Sequence, residues 1–160
     1  IRRGKPNKDT EFGHKVWLGE VEGGFVSQYT VLNGNPADDA QWQPTLERHI
    51  QQFNHPPRQA SADRGVHSAA NEALAAKLGV KRVILPKPGR KSEARRQHER
   101  QPWFWRGRCF HAGVEGRISV IKRKYGLDRC RNRGRAGFER WVGWSVIANN
   151  LTMMGRGLSP

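Results

Sequence analysis

The chain has 160 residues, enough for one domain, and carries 29 Lys and Arg against 14 Asp and Glu for a formal net charge of +15. No stretch approaches the roughly 20 apolar residues of a membrane span, and no signal peptide is visible. Cys109 and Cys130 form no CxxC pair and no Cys/His cluster, so they are expected to be reduced packing residues rather than zinc ligands.

In chain order, residues 1–11 are polar and basic without period. Two strand-like runs follow, about 12–21 and 25–32, with Glu22-Gly23-Gly24 between them, which reads as a β-hairpin. In the second run Phe25, Ser27, Tyr29 and Val31 share one face, and Val26 and Thr30 the other. Asp38 or Asp39 then caps a helix to about Phe53, with Trp42, Leu46, Ile50 and Phe53 as its stripe. The run Arg58–Ala62 suits a buried central strand that delivers Asp63-Arg64-Gly65. An acid followed by Gly at a strand's C-terminal end is a common place for site residues, and an ordinary turn Asp is the alternative. Ser68 caps the next helix, to about Leu78, and Arg82–Leu85 is another strand. Residues 86–102 hold almost nothing apolar and read as a long basic loop.

Beyond that loop lies the stretch around which the chain is organised. Read as a helix, Val114, Ile118, Ile121 and Tyr125 form one apolar stripe. Glu115 sits at its edge with Ser119 and Lys122 on its own face, and Arg117 and Lys124 flank the other side. Gly126 ends this helix, and residues 128–137 are rich in Arg and Gly. A last helix spans about 137–152, with Phe138, Trp141, Val142, Ser145 and Asn149 near one face and Trp144, Ile147 and Leu151 extending it.

The charge is one-sided. Residues 1–80 hold nine Lys/Arg and nine Asp/Glu, whereas residues 81–160 hold twenty and five, so all the excess lies in the second half. It is mostly Arg, interleaved with Trp103, Phe104, Trp105, Trp141 and Trp144. That composition is expected of a phosphate-binding surface, and nucleic acid is the expected partner. A solvated tail is disfavoured by the interleaved aromatics, and a membrane surface by the lack of a clear basic amphipathic helix.

Two acids, Asp63 and Glu115, stand out among these bases. Brought to about 4 Å, two carboxylates repel by roughly 4 kcal/mol at an effective dielectric near 20. They remain ionised together when a cation lies between them, and hard oxygen ligands with open positions suit Mg²⁺ or Mn²⁺. Acids for metal beside bases for phosphate make a coherent site for phosphodiester chemistry.

The stretches Gly113-Val-Glu-Gly-Arg-Ile-Ser119, Tyr125-Gly-Leu-Asp-Arg-Cys-Arg131, Gly137-Phe-Glu-Arg-Trp-Val142 and Ala148-Asn-Asn-Leu151 resemble the C-terminal part of bacterial insertion-sequence DDE transposases. The resemblance is nearest to the group outside the major classified families. Arg3-Gly-Lys5, Glu11-Phe-Gly13, Gly34-Asn-Pro-Ala-Asp38 and Ala62-Asp-Arg-Gly65 match the same group in order. It implies an RNase H-like α/β fold, a mixed sheet flanked by helices, over residues 1–160. It also implies a catalytic acid triad holding two divalent ions, and cleavage and joining of DNA by a homo-oligomer in the bacterial cytoplasm. Asp63 matches the second acid and Glu115 the third; both are expected to be catalytic and metal-binding. Lys122, seven residues after Glu115, matches a basic position used on the terminal DNA. Arg117 and Arg123 are candidate phosphate contacts from charge and position.

The chain departs from that pattern in two ways. The first acid belongs on a central strand before the hairpin, and the chain starts at Ile1, after that point, with no initiator Met. It is therefore expected to be a fragment without that strand, inactive alone and only marginally folded. Asp9 is not accepted as a substitute. Related families also place a Tyr and an Arg seven and four residues before Glu115, where Arg108 and His111 stand. Arg108 keeps the cationic character, and His111 reads as a phosphate donor or a helix-start residue. Three rivals remain: a basic remnant that grips DNA without cutting it, an RNase H-like nuclease of another family, and a ribosome-associated RNA-binding protein.

Overall fold

The computed structural model describes residues 13–158; the polar segment 1–11, Asp9 and the Arg3-Gly-Lys5 motif lie outside them. Strands β1 (Val16–Val21) and β2 (Phe25–Val31) pair antiparallel, Val16 opposite Val31 and Val21 opposite Phe25. The single 3-10 turn Glu22–Gly24 joins them as the Gly-Gly pair predicts, with Gly23 and Gly24 at φ 82° and 78°. A bulge lies between Gly19 and Glu20. The period-2 alternation of β1 serves two cores: Trp17 packs with one, Val16 and Leu18 with the other. In β2 the buried side chains are Val26, Gln28 and Val31, while Tyr29 is exposed.

Helix α1 (Trp42–Phe53) follows a 3-10 turn at Asp39–Gln41. Asp39 accepts the Ala40 N–H at 2.9 Å, whereas Asp38 pairs with Lys15 at 2.6 Å. Trp42 and Leu46 are buried, and the expected stripe fades towards an exposed Phe53. Asn54, in the left-handed region at φ 59°, ends the helix. Strands β3 (Gln59–Ser61) and β4 (Arg82–Ile84) then pair in parallel. Helix α2 (Ala69–Lys77) forms the crossover between them, its N-terminus capped by Ser68, whose Oγ accepts the Asn71 N–H at 3.0 Å. Trp42, Leu46, Val66, Ala75 and Leu85 form the core of this βαβ unit.

The loop expected over 86–102 is corrected: helix α3 (Glu93–Arg100) occupies much of it. It has no apolar stripe to announce it, because charge holds it in place. The buried Glu99 carboxylate accepts the Lys87 N–H at 2.9 Å, Arg95 Nε at 2.8 Å and Lys91 Nζ. Arg95 also reaches Glu72 at 2.7 Å and the Leu85 carbonyl. Burial raises the Glu99 carboxyl, but Lys91, Arg95 and the Lys87 N–H outweigh it and hold the group at about 2.

Helix α4 (Pro102–Lys124) is longer than its apolar stripe predicts and takes in Trp103, Phe104 and Trp105. Pro102 opens it, where a missing N–H costs nothing. Its first half lies on β3 and β4, so closely that a Cβ on Gly107 would sit 2.7 Å from Ile84 Cγ1. Its last turns enter a second core, where Ile121 joins Val26, Val31, Leu127, Val142 and Val146. Helix α5 (Gly134–Leu158) supplies the last two and packs on β2. One part of its reading is corrected: Trp144, Ile147 and Leu151 do not extend the face of Phe138, Trp141 and Val142 but point outward, 66, 47 and 61 % exposed.

Among the described residues the two sheets share no strand: β1 pairs only with β2, and β3 only with β4. Between their unpaired edges runs a groove of about 750 Å³, lined by β1, β3, Leu46 of α1, and Val114 and Ile118 of α4.

The Glu99 carboxyl lies below its ordinary value of 4.5, so its contribution is present above pH 4.5 and is lost as the pH falls towards 2. Glu99→Gln is expected to lower stability at pH 7 by about 3 kcal/mol, since Lys91 and Arg95 lose their counter-charge. It should also flatten the acid limb of the stability curve; both are read from urea melts across pH.

Candidate active site

Asp63 lies two residues past the end of β3 and opens a 3-10 turn, Arg64–Val66. Its Oδ1 accepts the Arg64 N–H at 2.6 Å, which fixes the carboxylate at the strand end and leaves Oδ2 for another partner. Glu115 stands on an exposed face of α4, near the middle of the helix. The two elements meet because α4 packs across β3. Asp63, Arg64, Arg108, His111 and Glu115 therefore line one depression of about 140 Å³, floored by Ala62, Ile84 and Pro86. Arg108, His111 and Glu115 fall at i, i+3 and i+7, one face of the helix.

The donor set can be tested against a divalent ion. Two carboxylates are the right kind of ligand for Mg²⁺ or Mn²⁺. They are too few to close a site: among the described residues no group of three His, Cys, Asp or Glu side chains converges on a metal position. The residues fit in kind and leave room for a third acid.

The other sequence candidates divide. Lys122 and Arg123 are exposed in the last turn of α4, where cations also complement the helix dipole. Lys122 lies two helical turns beyond Glu115 on the same face, about 10 Å away along the axis. None of Arg108, His111, Lys122 and Arg123 makes a side-chain hydrogen bond or ion pair with a described residue. Arg117 differs. Its guanidinium turns away from the depression to the hairpin, with Nε 3.3 Å from Glu20 and Nη1 3.2 Å from the Met153 sulfur. It fills the space beside Gly24, where a Cβ would meet it at 2.3 Å. Its charge faces a carboxylate only 6 % exposed, so the sequence's candidate phosphate contact stands apart from the other four. Sequence spacing placed it off the Glu115 face but could not show the acid waiting on the hairpin. Arg64 is a lining residue that the sequence reading did not single out; its adjacency to Asp63 was the available signal.

A family profile described as a transposase DDE domain matches residues 7–151, and the chain belongs to that family. Neither curated proteins nor solved structures gave a match.

Arg117→Ala is expected to lower stability by about 3 kcal/mol at pH 7, because it strands Glu20 in the hairpin. Burial already raises the Glu20 carboxyl above 4.5, with Arg117 opposing it. Without Arg117 the folded state binds a proton more tightly than the unfolded one, so part of the loss should return as the pH falls towards 5. Melting curves at pH 7 and 5 check this, and DNA affinity measured under folded conditions should change little.

Proposed function

We propose that this chain is most of the catalytic domain of an insertion-sequence transposase, and that it cuts and joins DNA once a further acid is supplied. The observation that carries this reading is the shared depression of Asp63 and Glu115, distant in sequence and flanked by Arg108 and His111. Asp63 and Glu115 would hold two Mg²⁺ or Mn²⁺ ions with a third carboxylate from outside the described residues. Such ions, when bound, activate a water or 3′-hydroxyl and stabilise the leaving oxygen. The protein's own groups do the rest. The Arg64 N–H orients Asp63. Arg108 and His111 bind the phosphate presented to the acids, and Lys122 and Arg123 hold the backbone beyond it.

The fold in this reading is RNase H-like, with the missing acid on a strand lying between β1 and β3. The groove there supports it, since two unpaired edges with apolar walls are what an inserted strand would satisfy. No helix among the described residues is long and apolar enough to cross a membrane. DNA in the bacterial cytoplasm is the proposed substrate, bound by a homo-oligomer.

The test uses the full-length protein that contains this chain, with Mg²⁺ and duplex carrying the element's ends. Asp63→Asn and Glu115→Gln are each expected to reduce cleavage and joining by on the order of 10³-fold or more while binding persists. Cutting that survives either change would remove that residue from the site. A second reading, a basic remnant that grips DNA without cutting, is favoured by the incomplete donor set among the described residues. It predicts binding indifferent to Glu115→Gln and to chelators. Cutting without joining would instead indicate an RNase H-like nuclease. In every case Lys122→Ala should weaken binding and reduce the salt slope of log K by about 1, measured by titration at several salt concentrations.

A further inference from the structure

The loop of residues 87–91 lies between β4 and α3. β3 and β4 run parallel, so the chain leaves both at the same edge of the sheet. In open α/β sheets that edge is where ligands collect. Asp63 stands there beyond β3, and Pro86, beyond β4, floors the depression that holds Asp63 and Glu115. Lys87 is the next residue, so its Cα lies about 3.8 Å from that of Pro86.

Both ends of this loop are tied to one buried acid. Glu99 accepts the Lys87 N–H at 2.9 Å at one end and Lys91 Nζ at the other. Arg95 holds the same carboxylate at 2.8 Å and donates to the Leu85 carbonyl, just before the loop. Between the ends Pro88 restricts its own φ, and Gly89 turns the chain at φ 67°. Pro88, Gly89 and Arg90 are exposed, so core packing does not account for the loop's shape. What the clamp presents is cationic. The Lys87 ammonium and the Arg90 guanidinium make no hydrogen bond or ion pair with a described residue. The loop contains no acid, and Glu93, the next one along the chain, is paired with Arg96.

We propose that Lys87 and Arg90 bind backbone phosphates at this edge of the depression, and that Glu99 is the positioning residue that holds them there. The proposal rests on DNA being the substrate, and it adds a second contact line to the row on α4. Glu99 is buried and touches no DNA; it acts through the Lys87 N–H and the Lys91 ammonium. Phosphates rather than bases are the expected contacts, because the loop carries two cations and no aromatic or amide side chain. A loop fixed before DNA arrives loses little conformational entropy on binding, which is what the clamp contributes.

The test titrates mixed-sequence duplex DNA into the full-length protein that contains this chain, in EDTA and at several salt concentrations. Lys87→Ala with Arg90→Ala is expected to lower the salt slope of log K by about 2, with an unchanged melt. Affinity at physiological salt should fall on the order of tenfold or more. Glu99→Gln, read at a temperature where its melt shows it folded, supplies the sign. Removing an acid near a polyanion tightens binding if charge alone counts. Loss of the clamp predicts the opposite, a weakening of about fivefold that nearly vanishes in the Lys87→Ala, Arg90→Ala background. If Glu99→Gln unfolds, Lys91→Ala replaces it, since it frees one end of the loop and leaves Arg95 on Glu99. Its loss must likewise vanish in that background. An unchanged slope in the loop variant overturns the proposal. So does tighter binding by Glu99→Gln, or a loss that persists once Lys87 and Arg90 are gone. Wild-type protein that binds no duplex overturns the DNA reading itself, a result distinct from wild-type binding with an indifferent loop.

Discussion

One helix has to belong to two cores at once. α4 is about 35 Å long at 1.5 Å per residue, and its two ends are fixed in different places. Near its start the absence of a side chain at Gly107 lets the backbone rest on Ile84 of β4. Near its end Ile121 is wholly buried among hairpin and α5 side chains. Between these anchors the helix spans the gap between two sheets that share no described strand. Glu115 lies on that span. Its position relative to Asp63 is therefore set by packing at both ends of the helix rather than by any bond to Asp63.

The basic residues fall into two populations. One is consumed by structure. Arg95 and Lys91 surround buried Glu99, Arg117 is paired with Glu20, and Arg135 reaches Glu139, Asn33 and the Val31 carbonyl. Arg95, Lys91 and Arg117 neutralise acids that the folded chain would otherwise bury alone, and removing one of them leaves a stranded charge, whereas the Arg135–Glu139 pair is exposed. The other population, Arg108, Lys122 and Arg123 along one helix, has no acid to satisfy among the described residues. An unneutralised row beside two carboxylates gives a surface of both signs: acids at the depression, bases on the helix leading away from it. That charge arrangement is the one on which the proposed DNA chemistry rests.

Local rules made much of this legible. The Gly-Gly hairpin turn, the Ser68 cap, the strand delivering Asp63, and the helix carrying Glu115 all follow from neighbours in sequence. The errors have a common origin. α3 was missed because periodicity detects apolar faces, and this helix is held by the ion network around Glu99. Trp144, Ile147 and Leu151 read as extending the face of Phe138, Trp141 and Val142 because an apolar residue on a long helix looks the same whether it faces inward or outward. The pairing of Arg117 is invisible to local spacing because its acid, Glu20, lies on a strand far away in sequence.

The sequence by itself therefore determined the order and type of most elements, the one-sided charge, the two acids of interest and the family. These depend on turn chemistry, capping and composition, which act over a few residues or over the whole chain without regard to geometry. Only the tertiary structure decided which side chains meet. It brought Asp63 and Glu115 to one depression with Arg108 and His111, withdrew Arg117 from that group, and left an apolar seam outside. The reason is that long-range contacts depend on how α4 and α5 dock against the hairpin and the βαβ unit. Docking is fixed by the fit of both cores together, a property no local window of the sequence contains.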